Sequence, residues 1–234
     1  KCQGLDVVGV GDNLSEAEKI LYLEKDGKKL AIINCCEHEF SIASDTTAGA
    51  NPLNPIRQYY VIQEAKKQTD YVLVIVHGGH EHFQLPSPRM QETYRFFVDA
   101  GADAVVNHHQ HCYSGYEVYR GKPIFYGLGN FAFDEDGGRN SIWNEGYMVV
   151  LSFDKKKISY EMIPYTQCNE KASVELVKER TSFDKTIEKL NAIIQDSKEL
   201  KKEVDKYYRT TASGMLLMHQ PYENRILNKL YRLH

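Results

Sequence analysis

The sequence YVLVIVHGGHEH at residues 71–82 decides the fold class, because an apolar run leads directly into a polar segment containing glycine. The run Tyr71–Val76 is short and uninterrupted, which is typical of a strand buried on both faces of a sheet. A second apolar run, Asp103–Val106, leads into NHHQH at residues 107–111. A predicted helix separates the two runs. This order indicates an α/β fold with parallel strands and right-handed crossovers.

The same alternation continues on the amino-terminal side. Leu30–Cys36 is a further apolar run and is predicted to be a buried strand, while the shorter run Leu5–Val10 predicts another strand. Two helix starts carry an N-cap residue followed by proline, at Asn54-Pro55 and at Ser87-Pro88. The first helix is predicted to reach about Thr69 and the second to end at Gly101, with a long loop at Glu37–Leu53.

The pattern changes after residue 111. Short apolar runs separated by turns predict strands in an antiparallel or mixed arrangement, at Tyr116–Tyr119, Pro123–Tyr126, Gly146–Phe153 and Ile158–Ile163. From about residue 171 the sequence is highly charged, and apolar residues recur at helical spacing from Phe183 to Tyr207. We predict an α/β domain at residues 1–170 and a helical extension at 171–234. The extension is expected to pack on its own domain and to end in a helix at Pro221–Leu233.

Composition bounds the class of protein. Hydrophobic residues make up 42% of the 234 residues, which is sufficient for a sizeable core. The net charge of −3 gives no indication of a nucleic-acid partner. Five cysteines without a CxxC pair argue against a disulfide framework, and no apolar run is long enough to span a membrane. These features favour the cytoplasm. Since the chain does not begin with Met, the alternative is the cell surface, if an N-terminal anchor was lost.

Six of the nine histidines lie in the two segments that follow the buried strands: His77, His80, His82, His108, His109 and His111. Because the carboxyl ends of parallel strands meet at one edge of a sheet, these imidazoles are predicted to converge there. Neutral imidazole is a good ligand for divalent Zn, Fe or Mn, and a cation offsets the mutual repulsion of clustered histidines. Isolated histidines are more often surface or hydrogen-bonded core residues, but two clusters at strand ends favour a metal or catalytic site.

Two longer stretches carry a resemblance to a known family. VIVHGGHEHFQLPSP at 74–88 and FFVDAGADAVVNHHQHCYSGYEVYRGKPIFYGLGNFAFD at 96–134 resemble the bacterial capsule synthesis proteins of the CapA/PgsA type, which are linked to poly-γ-glutamate. The segment at 9–35 resembles the family's preceding strand region. The resemblance implies a calcineurin-like metallophosphoesterase fold, a layered α/β sandwich. It also implies divalent metal ions, namely Mn, Zn or Fe.

The resemblance assigns roles to individual residues. His77, His109 and His111 take the positions of metal-ligating histidines, Glu81 that of the family's glutamate and Asn130 that of the asparagine in its Gly-Asn-Phe motif. The sequence departs from the family pattern at Gly78, His82, Asn107, Gln110 and Gly127, where the family has Trp, Tyr, Gly, Pro and Ser. The family's Gly-Asp and Asn-His-x-x-Asp blocks, which supply carboxylates, have no counterpart here. We therefore expect the chain to begin about a third of the way into the family domain.

Two functional hypotheses remain from the sequence. The first is a metal-dependent hydrolase-like pocket for capsule or exopolymer synthesis, with His80 or His108 as proton donor and Glu81 as a further catalytic candidate. Asn130 and Glu117 are candidates for binding an anionic polymer or a phosphorylated small molecule, although glutamates are more often simply exposed surface residues. The second hypothesis is a non-catalytic module that binds such a polymer or a capsule-assembly partner. A purely structural zinc site is a weaker alternative.

Overall fold

The computed structural model describes residues 4–38, 41–134, 141–154 and 158–218, with side chains up to residue 211. The helices of this described part are α1 (Leu14–Ala17), α2 (Pro55–Gln68), α3 (Pro88–Ala100), α4 (Thr181–Gln195) and α5 (Ser197–Met218). Its strands are β1 (Val10–Gly11), β2 (Leu21–Lys25), β3 (Lys28–Cys36), β4 (Gly49–Ala50), β5 (Tyr71–His77), β6 (Ala104–His108), β7 (Tyr116–Tyr119), β8 (Lys122–Phe125), β9 (Glu145–Phe153), β10 (Ile158–Gln167) and β11 (Val174–Leu176).

A six-stranded sheet in the order β2-β3-β5-β6-β8-β7 forms the centre of the fold. Its four inner strands are parallel, and the two edge strands pair antiparallel to their neighbours. The inner strands are the apolar runs of the sequence, and Val72, Val74 and Val76 of β5 are fully buried. Strands covered by helices and loops on both faces have no polar face, which is why they read as continuous apolar runs. The α/β prediction with parallel strands is confirmed.

Strand β10 pairs antiparallel with both β9 and β11, which confirms the antiparallel arrangement predicted for this half. The strand predicted at Leu5–Val10 is wrong except at its end, since only Val10–Gly11 pairs, with β4. Leu5 and Val7 are exposed. Their apolar side chains give the pattern of a strand, but this segment pairs with no strand in the described part of the chain.

The two helices that flank β5 begin where the sequence predicts. The Asn54 side chain accepts hydrogen bonds from the backbone N–H groups of Ile56 and Arg57, and the Ser87 hydroxyl accepts one from Met90. Gly101 ends α3 with φ 121°, a conformation that disfavours residues with a Cβ. These helix boundaries are confirmed because capping is a local property of the sequence.

The carboxyl-terminal region differs from the single helix expected there. Two helices, α4 and α5, meet at Asp196, whose carboxylate accepts hydrogen bonds from the N–H groups of Lys198 and Glu199 and so starts a new helix. The segment after residue 170 also contains a strand, β11. The helix predicted at Pro221–Leu233 lies outside the described residues. Across the described residues, no helix is long and apolar enough to cross a membrane.

Helices α4 and α5 share the hydrophobic core of the sheet. The buried face of α4 joins the same cluster as strands β5, β6 and β8. The side chain of Gln91 on α3 donates a hydrogen bond to the carbonyl of Ile194, and the Tyr116 N–H donates one to Asn191. The extension therefore packs on its own chain, while the division of the chain at residue 170 stays a prediction.

Candidate functional site at the histidine edge

The two histidine segments meet at the carboxyl ends of β5 and β6, where His77 and His108 are directly paired in the parallel register. Their Nδ1 atoms are 3.0 Å apart. The ring centroid of His77 is 4.6 Å from that of His109, and the rings of His109 and His111 are 6.0 Å apart. The structure thus brings four of the predicted imidazoles into one cluster, which we call the histidine edge.

The backbone of this cluster adopts an unusual conformation. His109 and His111 have φ values of 120° and 57°, a region that residues other than glycine rarely occupy. Such conformations cost on the order of 1–3 kcal/mol each and persist when the surrounding structure imposes them. They concentrate at functional sites, which supports this loop as a site rather than a simple turn.

Asn107, at the end of β6, holds the histidine loops in place. Its amide nitrogen donates hydrogen bonds to the carbonyls of Gly78 and Tyr126 and to the side chain of Gln110. The Tyr94 hydroxyl donates to the Asn107 side-chain oxygen at 2.6 Å. In the sequence, Asn107 stands out only as a departure from the family pattern. A buried amide in an otherwise apolar strand was the signal that could have identified its role.

Burial, which has the largest effect, and the charges of His77 and His109 together lower the pKa of His108 to about 4. Burial also lowers the pKa of His80, against an opposing effect of Glu37. The lowered pKa values favour neutral imidazoles near pH 7, and the role of His80 or His108 as proton donor stays a prediction. His80 Nε2 lies 2.7 Å from the Tyr208 hydroxyl, while its Nδ1 is buried without a hydrogen-bond partner among the described residues.

Asn130, predicted to bind substrate, lies against His111 and determines its tautomer, while its role in substrate binding stays a prediction. The Asn130 amide nitrogen donates to the carbonyls of His111 and Trp143, which leaves its oxygen facing His111 Nδ1 at 2.8 Å. Because an amide oxygen can only accept, Nδ1 carries the proton and Nε2 keeps its lone pair. This is the tautomer that a ligating imidazole needs at Nε2.

The two glutamates predicted as site residues occupy different environments. Glu81 is exposed beside the histidine loop, and its carbonyl accepts a hydrogen bond from Tyr207. Glu117 is buried, and its carboxylate accepts hydrogen bonds from Arg95 at 2.9 and 2.6 Å and from the Tyr126 hydroxyl at 2.5 Å. The contacts of Glu117 thus account for a structural role, and substrate binding by this residue stays a prediction.

The donor atoms at this edge suit a divalent transition metal, because imidazole nitrogen binds Zn, Fe and Mn. However, no three His, Cys, Asp or Glu side chains in the described part of the chain are grouped so that they could hold one ion. A two-metal site normally also needs bridging carboxylate oxygens. The described residues therefore do not form a complete metal site, and ligation by His77, His109 and His111 stays a prediction.

Neighbouring side chains leave no room for a larger residue at Gly78 and Gly127, two positions where the sequence departs from the family pattern. A Cβ built on Gly78 would lie 2.7 Å from the Cγ of Glu37, and one built on Gly127 would collide with the side-chain oxygen of Gln110. Gln110 itself departs from the family pattern. The changes at 110 and 127 are therefore coupled, since the side chain of one residue occupies the space that the other leaves open.

We predict that Gly127→Ser destabilises the protein by about 1–3 kcal/mol, the usual cost of overpacking a filled core. Combining it with Gln110→Ala should recover part of that loss, because the colliding amide is removed. Chemical denaturation of both single variants and the double variant measures the coupling. Additive losses in the double variant would show that the two positions do not compete for the same space.

The fold and the histidine edge define an α/β protein with a cluster of imidazoles at the carboxyl edge of its parallel strands, the edge at which open α/β folds bind their ligands. Residues 1–135 match the family described as bacterial capsule synthesis protein PGA_cap, and the chain belongs to this family. The resemblance of residues 71–134 to capsule synthesis proteins of the CapA type is thereby confirmed.

Several curated proteins are similar to this chain over part of its length. The PGA biosynthesis protein CapA of Bacillus subtilis (strain 168) is 40% identical over 136 residues, 57% of this chain and 36% of that protein. The capsule biosynthesis protein CapA of Bacillus anthracis is 36% identical over 137 residues, 56% and 33% of the two chains. A probable polyglutamine synthesis accessory protein of Mycobacterium tuberculosis is 31% identical over 105 residues, 42% and 28% respectively. The match spans about a third of the length of the two CapA proteins.

Proposed function

We propose that this protein takes part in the synthesis of a bacterial capsule or exopolymer, such as poly-γ-glutamate, through a metal-dependent pocket at the histidine edge. The proposal rests above all on the convergence of His77, His108 and His109 at the ends of two adjacent parallel strands. Family membership and the two CapA relatives support the biological process. The proposed architecture is metallophosphoesterase-like, with an anionic polymer or a phosphorylated small molecule as substrate.

In this proposal His77, His109 and His111 contribute nitrogen ligands to Mn, Zn or Fe, and the oxygen ligands come from outside the histidine edge. A bound divalent ion would supply Lewis acidity and an activated water. The chain's own contribution is positional. Asn107 holds the two loops, Asn130 keeps the Nε2 lone pair of His111 available, and burial keeps His108 neutral.

A second candidate function is a non-catalytic module that binds an anionic polymer or an assembly partner at the same edge. One observation favours it: a complete set of metal ligands is not found among the described side chains. The two candidates differ in what they require. The first needs a metal that the histidines hold, and the second binds polymer whether or not metal is present.

We predict weak, histidine-dependent metal binding by the 234-residue chain and little hydrolysis of simple phosphodiesters. His109→Ala should lower the affinity for Zn²⁺ or Mn²⁺ by at least about tenfold, since even residues that only support a ligand contribute 10- to 100-fold. Isothermal titration calorimetry measures the affinity, and bis(p-nitrophenyl) phosphate reports hydrolysis. His38→Ala, which removes an exposed imidazole outside the cluster, is the matched control.

The outcomes separate the two candidate functions. Metal binding that is equal in the His109 and His38 variants would overturn the metal-dependent pocket. If the protein then binds poly-γ-glutamate equally well with and without added metal, this would support the non-catalytic binding module. Strong hydrolysis that is lost on chelation would show that this chain supplies a complete set of metal ligands, contrary to our expectation of an incomplete site.

A further inference from the structure

Trp143, the only tryptophan of the chain, packs against the histidine edge from a segment beyond residues 1–135 that match the family. Its ring is stacked on the imidazole of His111, with centroids 4.7 Å apart and an interplanar angle of 22°. It is also stacked on His82 at 5.6 Å, and Phe133 meets it edge-on at 4.9 Å. One face of the indole thus covers one side of the His111 imidazole, which is predicted to ligate a metal.

The indole is held in place independently of the histidines. Trp143 lies in a short 3₁₀ turn, Ile142–Asn144, which Ser141 caps. The carbonyl of Trp143 accepts hydrogen bonds from the side chains of Asn130 and Gln167, and the indole N–H donates to the carbonyl of Phe133. The side chain of Asn144 anchors the turn to the end of β10 through the carbonyls of Gln167 and Cys168.

Asn130 connects this turn to the imidazole. The Asn130 amide nitrogen donates a hydrogen bond to the Trp143 carbonyl, and the amide oxygen accepts one from His111 Nδ1. His111 is therefore restrained in two ways, since the amide selects its tautomer and the indole limits the plane of its ring. Support by neighbouring groups of this kind orients ligating histidines and raises the affinity of their sites.

We propose that Trp143 is a positioning residue that, together with Asn130, holds His111 in the orientation required for binding at Nε2. The proposal rests on the function proposed above for the histidine edge. A purely structural role explains the arrangement less well. His111 has a positive φ, so its own backbone preference does not favour the conformation that it adopts. The indole ring of Trp143 that stacks on it lies at a partly exposed edge and not in the core.

The test uses the full chain without metal at one fixed pH above neutrality. Long-range ¹H–¹⁵N NMR spectra of the imidazoles report the tautomer of each histidine. The hydrogen bond from His111 Nδ1 to the Asn130 oxygen requires the ring plane that the indole maintains. We therefore expect His111 to be a single Nδ1–H tautomer in the unmodified protein, to become a mixture in Trp143→Ala, and to be restored in Trp143→Phe. Phe131→Ala removes a neighbouring exposed ring that contacts Tyr165 and is the matched control. It should leave the His111 signals unchanged.

Fluorescence gives a second readout, because the single indole reports only on this site. His111→Ala should change the emission intensity of Trp143, while His38→Ala should not. A folded Trp143→Ala variant with the His111 tautomer of the unmodified protein would overturn the proposal, as would emission that is insensitive to His111→Ala. If Trp143→Ala fails to fold, the Phe variant and the fluorescence comparison still decide.

A metal titration separates this proposal from the proposed function. Trp143→Ala should weaken Zn²⁺ binding by about tenfold, with recovery in Trp143→Phe. Absence of metal binding in every variant would contradict the metal-dependent pocket, whereas the tautomer and fluorescence results would still show whether Trp143 orients His111. Unchanged affinity in a folded Trp143→Ala variant of a metal-binding protein would contradict the positioning role alone.

Discussion

A chain truncated after residue 172 is expected to lose cooperative unfolding altogether. The truncation removes α4, whose side chains Phe183, Ile187, Leu190 and Ile194 are buried in the same cluster as the central sheet. Burying one such side chain contributes about 1.5–3 kcal/mol, and a whole domain is stable by only about 5–15 kcal/mol. Loss of four of them, together with exposure of the sheet residues beneath, is comparable to the entire stability.

Thermal unfolding followed by circular dichroism measures this effect. A chain ending at residue 211, which keeps α4 and the described side chains of α5, is the matched control and should unfold cooperatively. Leu190→Ala gives a graded version, with an expected loss of about 2–5 kcal/mol, while exposed Glu188→Ala should change little. A stable, cooperatively folded 1–172 fragment would instead support the division of the chain at residue 170.

Glu117→Gln is expected to destabilise the protein by about 3 kcal/mol. The carboxylate side chain is only 7% exposed and pairs with Arg95, which is 35% exposed. Removing one partner of a buried pair costs about 3–5 kcal/mol, and partial solvation of the remaining arginine favours the lower end. The Tyr126 hydroxyl also loses a charged acceptor.

Urea denaturation measures the loss, with exposed Glu161→Gln as the control. Tyr126→Phe removes only the hydroxyl contact and should cost about 1.5–3 kcal/mol, the range for hydrogen bonds to charged groups. These results bear on the predicted role of Glu117 in substrate binding. A variant with unchanged stability and reduced polymer or phosphoester binding would assign Glu117 to the ligand site instead of the core.

The histidine edge was predictable because its position follows from topology. His77 and His108 each end an apolar run, and parallel strands bring such ends together. Leu5–Val10 shows the limit of the same reasoning. Its apolar residues resemble a strand, but pairing requires a neighbouring strand, and in the described structure most of this run has none. A strand is stable only within a sheet, so a local pattern is insufficient.

The break between α4 and α5 is an intermediate case. The apolar spacing from Phe183 to Tyr207 continues across it, which is why one helix was predicted. Asp196 nevertheless caps a new helix through two backbone hydrogen bonds. An aspartate followed by Ser and Lys was a visible N-cap signal, but periodicity alone carries no information about where a helix restarts.

The sequence by itself determined the α/β class, the boundaries of the capped helices, the family and the clustering of the histidines. These follow from periodicity, capping and motif order, all of which act over short stretches of chain. Only the tertiary structure decided that Trp143 stacks on His111, that Tyr208 reaches His80 from 128 residues away, and that Glu117 belongs to an ion pair. Such contacts depend on which elements pack against each other, and no local pattern encodes the partner of a side chain across the fold.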